Sequence, residues 1–388
     1  MEERKALLEE LKQSELSVAE ISRRYQVSRK TAYKWKDRYE REGEQGLADH
    51  SRAPHHQPLA LSEAKREQVV AIRRQHATWG PRKIHAYLNN NHSEENWPAV
   101  STIGELLCRE GLVVARRKRK RTPPDLSPLA HADECNKIWT ADFKGWFHTA
   151  NGERCDPLTI QDAFSRYSLR ILNMERTNTE HTQAVFHAAF RENGLPDGIR
   201  TDNGPPFAST APAGLSRLSM VWIRLGIRHE RIEPGCPQQN GRHERFHLTL
   251  LQDTASPPAK DSYQQQKRFD DFRKVYNSER PHEALGGKTP GSIYVPSVRV
   301  MPARILKIVY PGDWTVRRIQ HKGDLHVGGD RTFLSEILAG EWVGLNLVDD
   351  DLYEVYWCSV LLGWLDSRSH YFETVRRPHD KRRSKKAT

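Results

Sequence analysis

The sequence predicts a multidomain protein. It should be all-α at its N-terminal end with helix-turn-helix units, mixed α/β in its middle, and a small β-barrel at its C-terminal end. Three observations predict this. Apolar residues recur at helical spacing through roughly the first hundred residues. At residue 136 the pattern changes to alternating runs rich in aromatic and β-branched side chains. From 297 onward short strand-like runs are broken by Gly and Asp. A chain of 388 residues is long enough for two or three cores. The expected organisation is helix-turn-helix units at 1–45 and 61–114, linkers at 46–60 and 115–130, a mixed α/β core at 131–296, a β domain at 297–368 and a basic tail at 369–388.

In the first unit Leu7, Leu8 and Leu11, then Val18, Ile21 and Tyr25, keep helical spacing. Ser17 with Glu20 three residues on has capping-box spacing for a second helix. Gln26-Val27-Ser28 makes a tight turn, with Ser28 placed to cap a third helix. Arg29, Lys30, Tyr33 and Lys34 lie near the start of that helix, where side chains reach phosphates or base edges in a major groove. A plain three-helix bundle with a solvated basic face remains the alternative. The second unit repeats the helical pattern, with Pro81 in a first helical turn and Ser101 as an expected N-cap. The tether "ARRKRKRTPPDLSP" follows, and its Arg117, Lys118, Arg119 and Lys120 favour a polyanion.

The α/β block reads as strands at "NKIWTADFKGWF" and around a turn at Asp162–Ser165, with Asp162 as a turn residue. A helix over "TEHTQAVFHAAFREN", a short strand "DGIRTDNG", a helix "LSRLSMVWIRLG" and a strand "IRHERIEP" come next. Two helices close the block, at about 238–251 and 264–278. Three strands followed by helices alternating with single strands give one mixed layer. Beyond 297, "RILKIVYPG" is the first of the short strands expected in the barrel, and "YWCSVLLGWL" reads as a buried strand pair.

Composition narrows the function. Lys and Arg number 61 against 50 Asp and Glu, a formal net charge of +11. That excess favours an anionic partner, and nucleic acid is the usual one. No apolar run approaches the roughly 20 residues of a membrane span. The start "MEERKALLEELKQ" has no signal-peptide core, so a cytoplasmic, DNA-associated protein is expected. Five scattered cysteines without a CxxC pair indicate neither a zinc site nor a disulfide framework.

Three acids stand out by position. Asp142 lies on the first strand of the α/β block, Asp202 at the end of a later strand, and Glu244 on the helix after "PGCPQQNGRHERFH". Carboxyl ends of strands face the functional crevice in such layers. The Gly after Asp202-Asn203 permits close approach there. Converging carboxylates repel, and divalent cations relieve the repulsion. Spacing alone does not single them out, since 50 acids offer many triplets.

The motifs around these acids do. "TDNGPPFAS", "PGCPQQNGRHERFHLTL" and "YNSERPHEALGGKTP" resemble, in order, blocks of the DDE-class insertion-sequence transposases, whose core is similar to retroviral integrases. "IWTADFKGWF", "QDAFSRY" and "WGPRKIHAYL" resemble further segments, so the likeness covers most of the chain. "STAPAGLSRLSM" and the tail match least. The resemblance implies an RNase H-like integrase core with Asp142, Asp202 and Glu244 as catalytic metal ligands. It also implies two Mg²⁺ ions per site (Mn²⁺ as substitute), cleavage at element ends and transfer of 3′-OH groups into target DNA. Joining two ends implies a dimer or higher multimer on DNA. Asn240, Arg242 and His243 are expected to contact DNA phosphate. A two-metal scheme requires no histidine base. Tyr276, Asn277, Arg280, Pro281 and His282 are expected to fix a helix against the core. A metal-dependent nuclease without strand transfer, or a DNA-binding regulator without catalysis, are the rival functions.

Overall fold

The computed structural model describes residues 2–49, 61–113, 129, 131–233, 236–305 and 307–375. The chain divides into two compact units, Met1–Ser62 and Glu63–Thr388.

The first unit holds α1 (Glu2–Gln13), α2 (Val18–Arg24) and α3 (Arg29–Glu42). Ser17 and Glu20 form the expected capping box on α2, and the Ser28 side chain accepts from Thr31 N–H to cap α3. Leu7, Leu8, Ala32, Trp35 and Leu47 make a small core. Arg29, Lys30, Tyr33 and Lys34 all stay exposed on α3, with the Lys34 ammonium 5.7 Å from the centre of the Trp35 ring. Arg117, Lys118, Arg119 and Lys120 lie outside the described residues.

The second unit begins with α4 (Glu63–Gln75), α5 (Pro81–Asn91) and α6 (Val100–Arg109). Pro81 is the first residue of α5, as its fixed φ and missing N–H suit. Ser101 is not a cap: α6 starts one residue earlier, Ala99 is its N-cap, and no side chain caps it. The apolar residues Ile103, Leu106 and Leu107 hold α6 in place instead.

The central sheet contains β1 (Ile138–Phe143), β2 (Phe147–His148), β3 (Arg154–Asp162), β4 (Ser168–Met174), β5 (Gly198–Thr201) and β6 (Arg228–Arg231). Its helices are α7 (Thr179–Asn193), α8 (Arg217–Arg224), α9 (Gly241–Thr254) and α10 (Ser262–Ser278). β3 lies antiparallel between β4 and β1, with β2 paired to its first residues, while β1, β5 and β6 run parallel. Strand alternation sorts the side chains into two layers. Trp139 and Ala141 of β1 join Phe186, Phe190, Leu218 and Trp222 from α7 and α8. On the other face Cys155 and Ile171 meet Phe246, Leu250, Phe269, Phe272 and Tyr276 from α9 and α10. Asp162 is fully buried and organises the β3–β4 turn, accepting from Asn136 N–H and from the Ser165 N–H and hydroxyl.

The C-terminal strands are β7 (Thr315–Arg318), β8 (Asp324–Val327), β9 (Asp330–Phe333), β10 (Trp342–Asp349), β11 (Leu352–Trp357), β12 (Val360–Asp366) and β13 (Tyr371–Thr374). β13-β12-β11-β10-β7 form an antiparallel sheet and β8 pairs with β9; among the described residues no strand pairing joins the two into a closed barrel. Leu215 and Met220 from the central block pack into the same core as Val343, Val355, Trp357 and Leu362. The segment "STAPAGLSRLSM", least like the family's pattern, is therefore where this sheet docks. "RILKIVYPG" forms no strand among its described residues.

Candidate active site

Asp142 and Asp202 meet because β1 and β5 are parallel neighbours. Thr140 pairs with Arg200; Asp142 lies two residues further along β1, and Asp202 follows directly on the end of β5. Alternation from buried Trp139 and Ala141 turns Asp142, like Thr140, to the face that α9 covers. Beyond Thr201 the chain leaves the sheet in a tight turn. There Gly204 N–H donates to Asp202 Oδ1 at 3.1 Å. A Cβ on Gly204 would lie 3.0 Å from Asp202 Oδ2, so the missing side chain is what permits this approach. Glu244 rides the first turn of α9, exposed, with no hydrogen bond or ion pair among the described residues. The three acids thus project from three elements toward one end of the sheet.

Their electrostatics are coupled. Burial first, then the charge of Asp202, push Asp142 up from 3.8 to about 7, and Glu244 adds to the rise. Asp202 is also raised, by burial, with the Gly204 N–H opposing. An all-oxygen donor set under mutual repulsion is what Mg²⁺ suits and relieves. The set is not gathered into a finished shell. Among the described residues no group of three or more His, Cys, Asp or Glu side chains is close enough to hold an ion.

Two expected DNA contacts lie elsewhere. Asn240 is the N-cap of α9, yet its side chain does not cap the helix. Its amide donates to Asp142 Oδ2 at 3.0 Å, because the turn brings it over β1. His243 is 1% exposed and cannot reach phosphate. It points inward because it shares the α9 face of Phe246, His247 and Leu250, all buried against the sheet. Arg242 alone of the three stays exposed, with a long contact to Ala163 O at 3.5 Å.

A polar network under α9 escaped the sequence reading. Thr159, fully buried on β3, donates to the Asp142 carbonyl at 3.1 Å. Its hydroxyl also meets His243 Nε2 at 2.5 Å and His247 Nε2 at 2.7 Å. His243 Nδ1 meets Thr140 Oγ1 at 3.0 Å. Burial drives His243 down to about 3, and burial with the His243 charge drives His247 to about 2, so both rings are neutral. Placing the proton on Nε2 in each ring gives every donor in this network an acceptor. The spacing of His243 and His247, four residues apart, was the available signal. The post-helix residues behave as expected. Tyr276 packs edge-on against Phe246 and His282, and the Asn277 amide clamps both backbone groups of Ser168. Arg280, 7% exposed, reaches Asp253 at 3.3 Å.

Comparisons with known proteins fit this architecture. Residues 132–237 and 225–290 each match an integrase core domain. Residues 3–55 match a helix-turn-helix domain and residues 31–107 a homeodomain-like domain. A 39.2 kDa protein of insertion element IS476 from Xanthomonas euvesicatoria is 28% identical over 257 residues, 66% of this chain and 71% of that protein. The transposase of transposon Tn552 from Staphylococcus aureus is 25% identical over 262 residues, 61% of this chain and 52% of that protein. Among solved structures, a simian T-cell lymphotropic virus intasome chain aligns over 80% of this chain and 99% of its own, at 15% identity and a TM-score of 0.37. The HTLV-2 integrase catalytic core with magnesium aligns over 42% of this chain and 98% of its own, at 20% identity and a TM-score of 0.31. Among the described residues no helix is long and apolar enough to cross a membrane.

Proposed function

We propose, from the premise that this chain carries an integrase core behind helix-turn-helix domains, that it is a DNA transposase. It binds the ends of a mobile element, cleaves phosphodiester bonds there and transfers the 3′-OH ends into target DNA. The observation that supports this reading is the closeness of Asp142, on β1, to Asp202, just past the end of the parallel β5, with Glu244 near enough for its charge to act on Asp142 as well.

Asp142, Asp202 and Glu244 would hold two Mg²⁺ ions, with Mn²⁺ as a substitute. Bound there, the metal supplies activation of the attacking oxygen and stabilisation of the leaving one. The chain's own residues do the rest. Asn240 fixes one Asp142 oxygen, leaving the other to the crevice. Thr159, His243 and His247 hold α9 against β1 and β3, which sets the distance from Glu244 to the aspartates. Arg242 and Arg245, exposed on either side of Glu244, face the DNA whose phosphate reacts. Arg29, Lys30, Tyr33 and Lys34 on α3, with Arg117, Lys118, Arg119 and Lys120 of the tether, are further DNA contacts. Holding two ends for joining requires at least a dimer.

The test is incubation of the full chain with candidate element ends, target DNA and Mg²⁺, followed by sequencing of joined products. Joined ends support the transposase. Nicked but unjoined ends would leave only a nuclease. Tight end binding without cleavage would leave only a regulator.

A further inference from the structure

The exposed cations of α9 have neighbours that the catalytic reading does not use. Arg166 sits in the β3–β4 turn with left-handed φ of 65°, an unfavourable setting for a long side chain. Its Nε is buried and has no hydrogen-bond partner. Lys83, on the first turn of α5, has no acidic partner among the described residues. It lines a cavity of about 560 Å³ with Gly80, Pro81, Pro281 and Gly287, where α5 meets the loop after α10. No side chain caps the start of α5 there. His282, in the same loop, keeps a buried Nε2 without a partner.

These groups are close enough to disturb one another. Burial and then the Arg242 charge bring Arg166 down to about 10. Burial, then Arg280, then Arg245 lower Lys83, with Glu283 and Asp253 opposing. The nearby acids are engaged elsewhere. Glu283 pairs with Arg82 at 2.5 Å, Asp253 with Arg280, and Asp162 is enclosed by Asn136 and Ser165. Like charges held together without counter-charge oppose folding, and an anion that spans them removes the repulsion.

We propose that Arg242, Arg245, Arg166 and Lys83 form one phosphate-binding seam that carries the backbone of duplex DNA from the α4–α6 module to Glu244. Arg166 in the β3–β4 turn feels the charge of Arg242, Lys83 at the start of α5 feels that of Arg245, and Arg166 and Lys83 both act on His282. This proposal rests on the transposase reading for its choice of duplex DNA.

The experiment separates the two. Binding of the full chain to a duplex of unrelated sequence is titrated without divalent ions, between about 50 and 200 mM salt. The chains compared are the wild type, Lys83→Gln, Arg166→Gln, and Lys267→Gln on the exposed side of α10. Each seam variant should flatten the log Kd against log salt slope by about one and weaken binding about eightfold near 0.1 M salt. Lys267→Gln should change neither. Arg166→Lys should keep the slope, which separates lost charge from lost folding. In the DNA-free chain, Lys83→Gln should leave the melting temperature equal or higher. Unchanged slopes in both seam variants, or a lower melting temperature for Lys83→Gln, would overturn the seam. Flattened slopes in a chain that never joins ends would uphold the seam and sink the transposase reading.

Discussion

The two faces of α9 differ in nearly every physical respect. The inner face carries His243, Phe246, His247 and Leu250, all buried and either packed or hydrogen-bonded to Thr159. The outer face carries Arg242, Glu244 and Arg245, exposed and without acid–base pairing among the described residues. One face is finished and the other is waiting for something. A helix surface that leaves an acid unpaired between two arginines is not arranged for stability. Exposed ion pairs contribute little in any case, roughly 0–1 kcal/mol. If Glu244 acts as proposed, chemistry and anchoring are segregated on a single short helix, and substitutions on its two faces should fail in different ways.

The largest difference should come from paired substitutions. Glu244→Gln should abolish Mg²⁺-dependent joining, by on the order of a thousandfold or more, since the charge stabilisation lost is several kcal/mol. Its melting temperature should stay near wild type. Phe246→Ala should do the reverse at first sight, costing about 3–5 kcal/mol of stability. Its residual activity at low temperature should follow the folded fraction. If Glu244→Gln joins ends at the normal rate, or unfolds as readily as Phe246→Ala, the division of α9 into two faces is wrong.

A middle-sized effect belongs to the network between the faces. Thr159→Val keeps the shape and removes the acceptor shared by two buried histidines. It should cost about 1–3 kcal/mol in denaturant unfolding. A cost near zero would mean that the network does not hold α9.

The smallest signal is a pH slope from one group among many. In the folded chain Asp142 titrates at about 7, above its ordinary 3.8. Between those values the folded state keeps a proton that the unfolded state has lost, so stability should fall as pH rises across this window. Asp142→Asn should flatten that part of the profile when no divalent ion is present. Adding Mg²⁺ at pH 7–8, about the upper edge of the window, should raise the melting temperature of the wild type more than that of Asp142→Asn. Equal profiles for the two chains would show that Asp142 is not strained in this way.

Some of this was legible in residue order. Apolar periodicity placed the N-terminal helices, and Ser17 with Glu20 marked a true capping box because a cap depends only on residues within one turn. The switch to alternation at 136 located β1, and the placing of Trp139 opposite Asp142 followed from a period of two. Local signals failed where a partner far along the chain decided the outcome. Ser101 looked like a cap, but α6 is fixed by apolar contacts. The cover that Leu215 and Met220 of the central block give the C-terminal sheet was likewise invisible in local order.

The sequence by itself determined the order of helical and strand-rich blocks and the excess of positive charge, and its motifs picked out the three acids as the candidate site. Those are properties of neighbouring residues. Only the tertiary structure decided which way each side chain of "NGRHER" faces. Asn240 turns to Asp142, His243 turns into the core, and Arg242 and Arg245 remain outside with Glu244. A run of polar residues carries no record of the surface it will lie on. The sheet supplies that surface, and burial against it turns a potentially cationic histidine into a neutral strut.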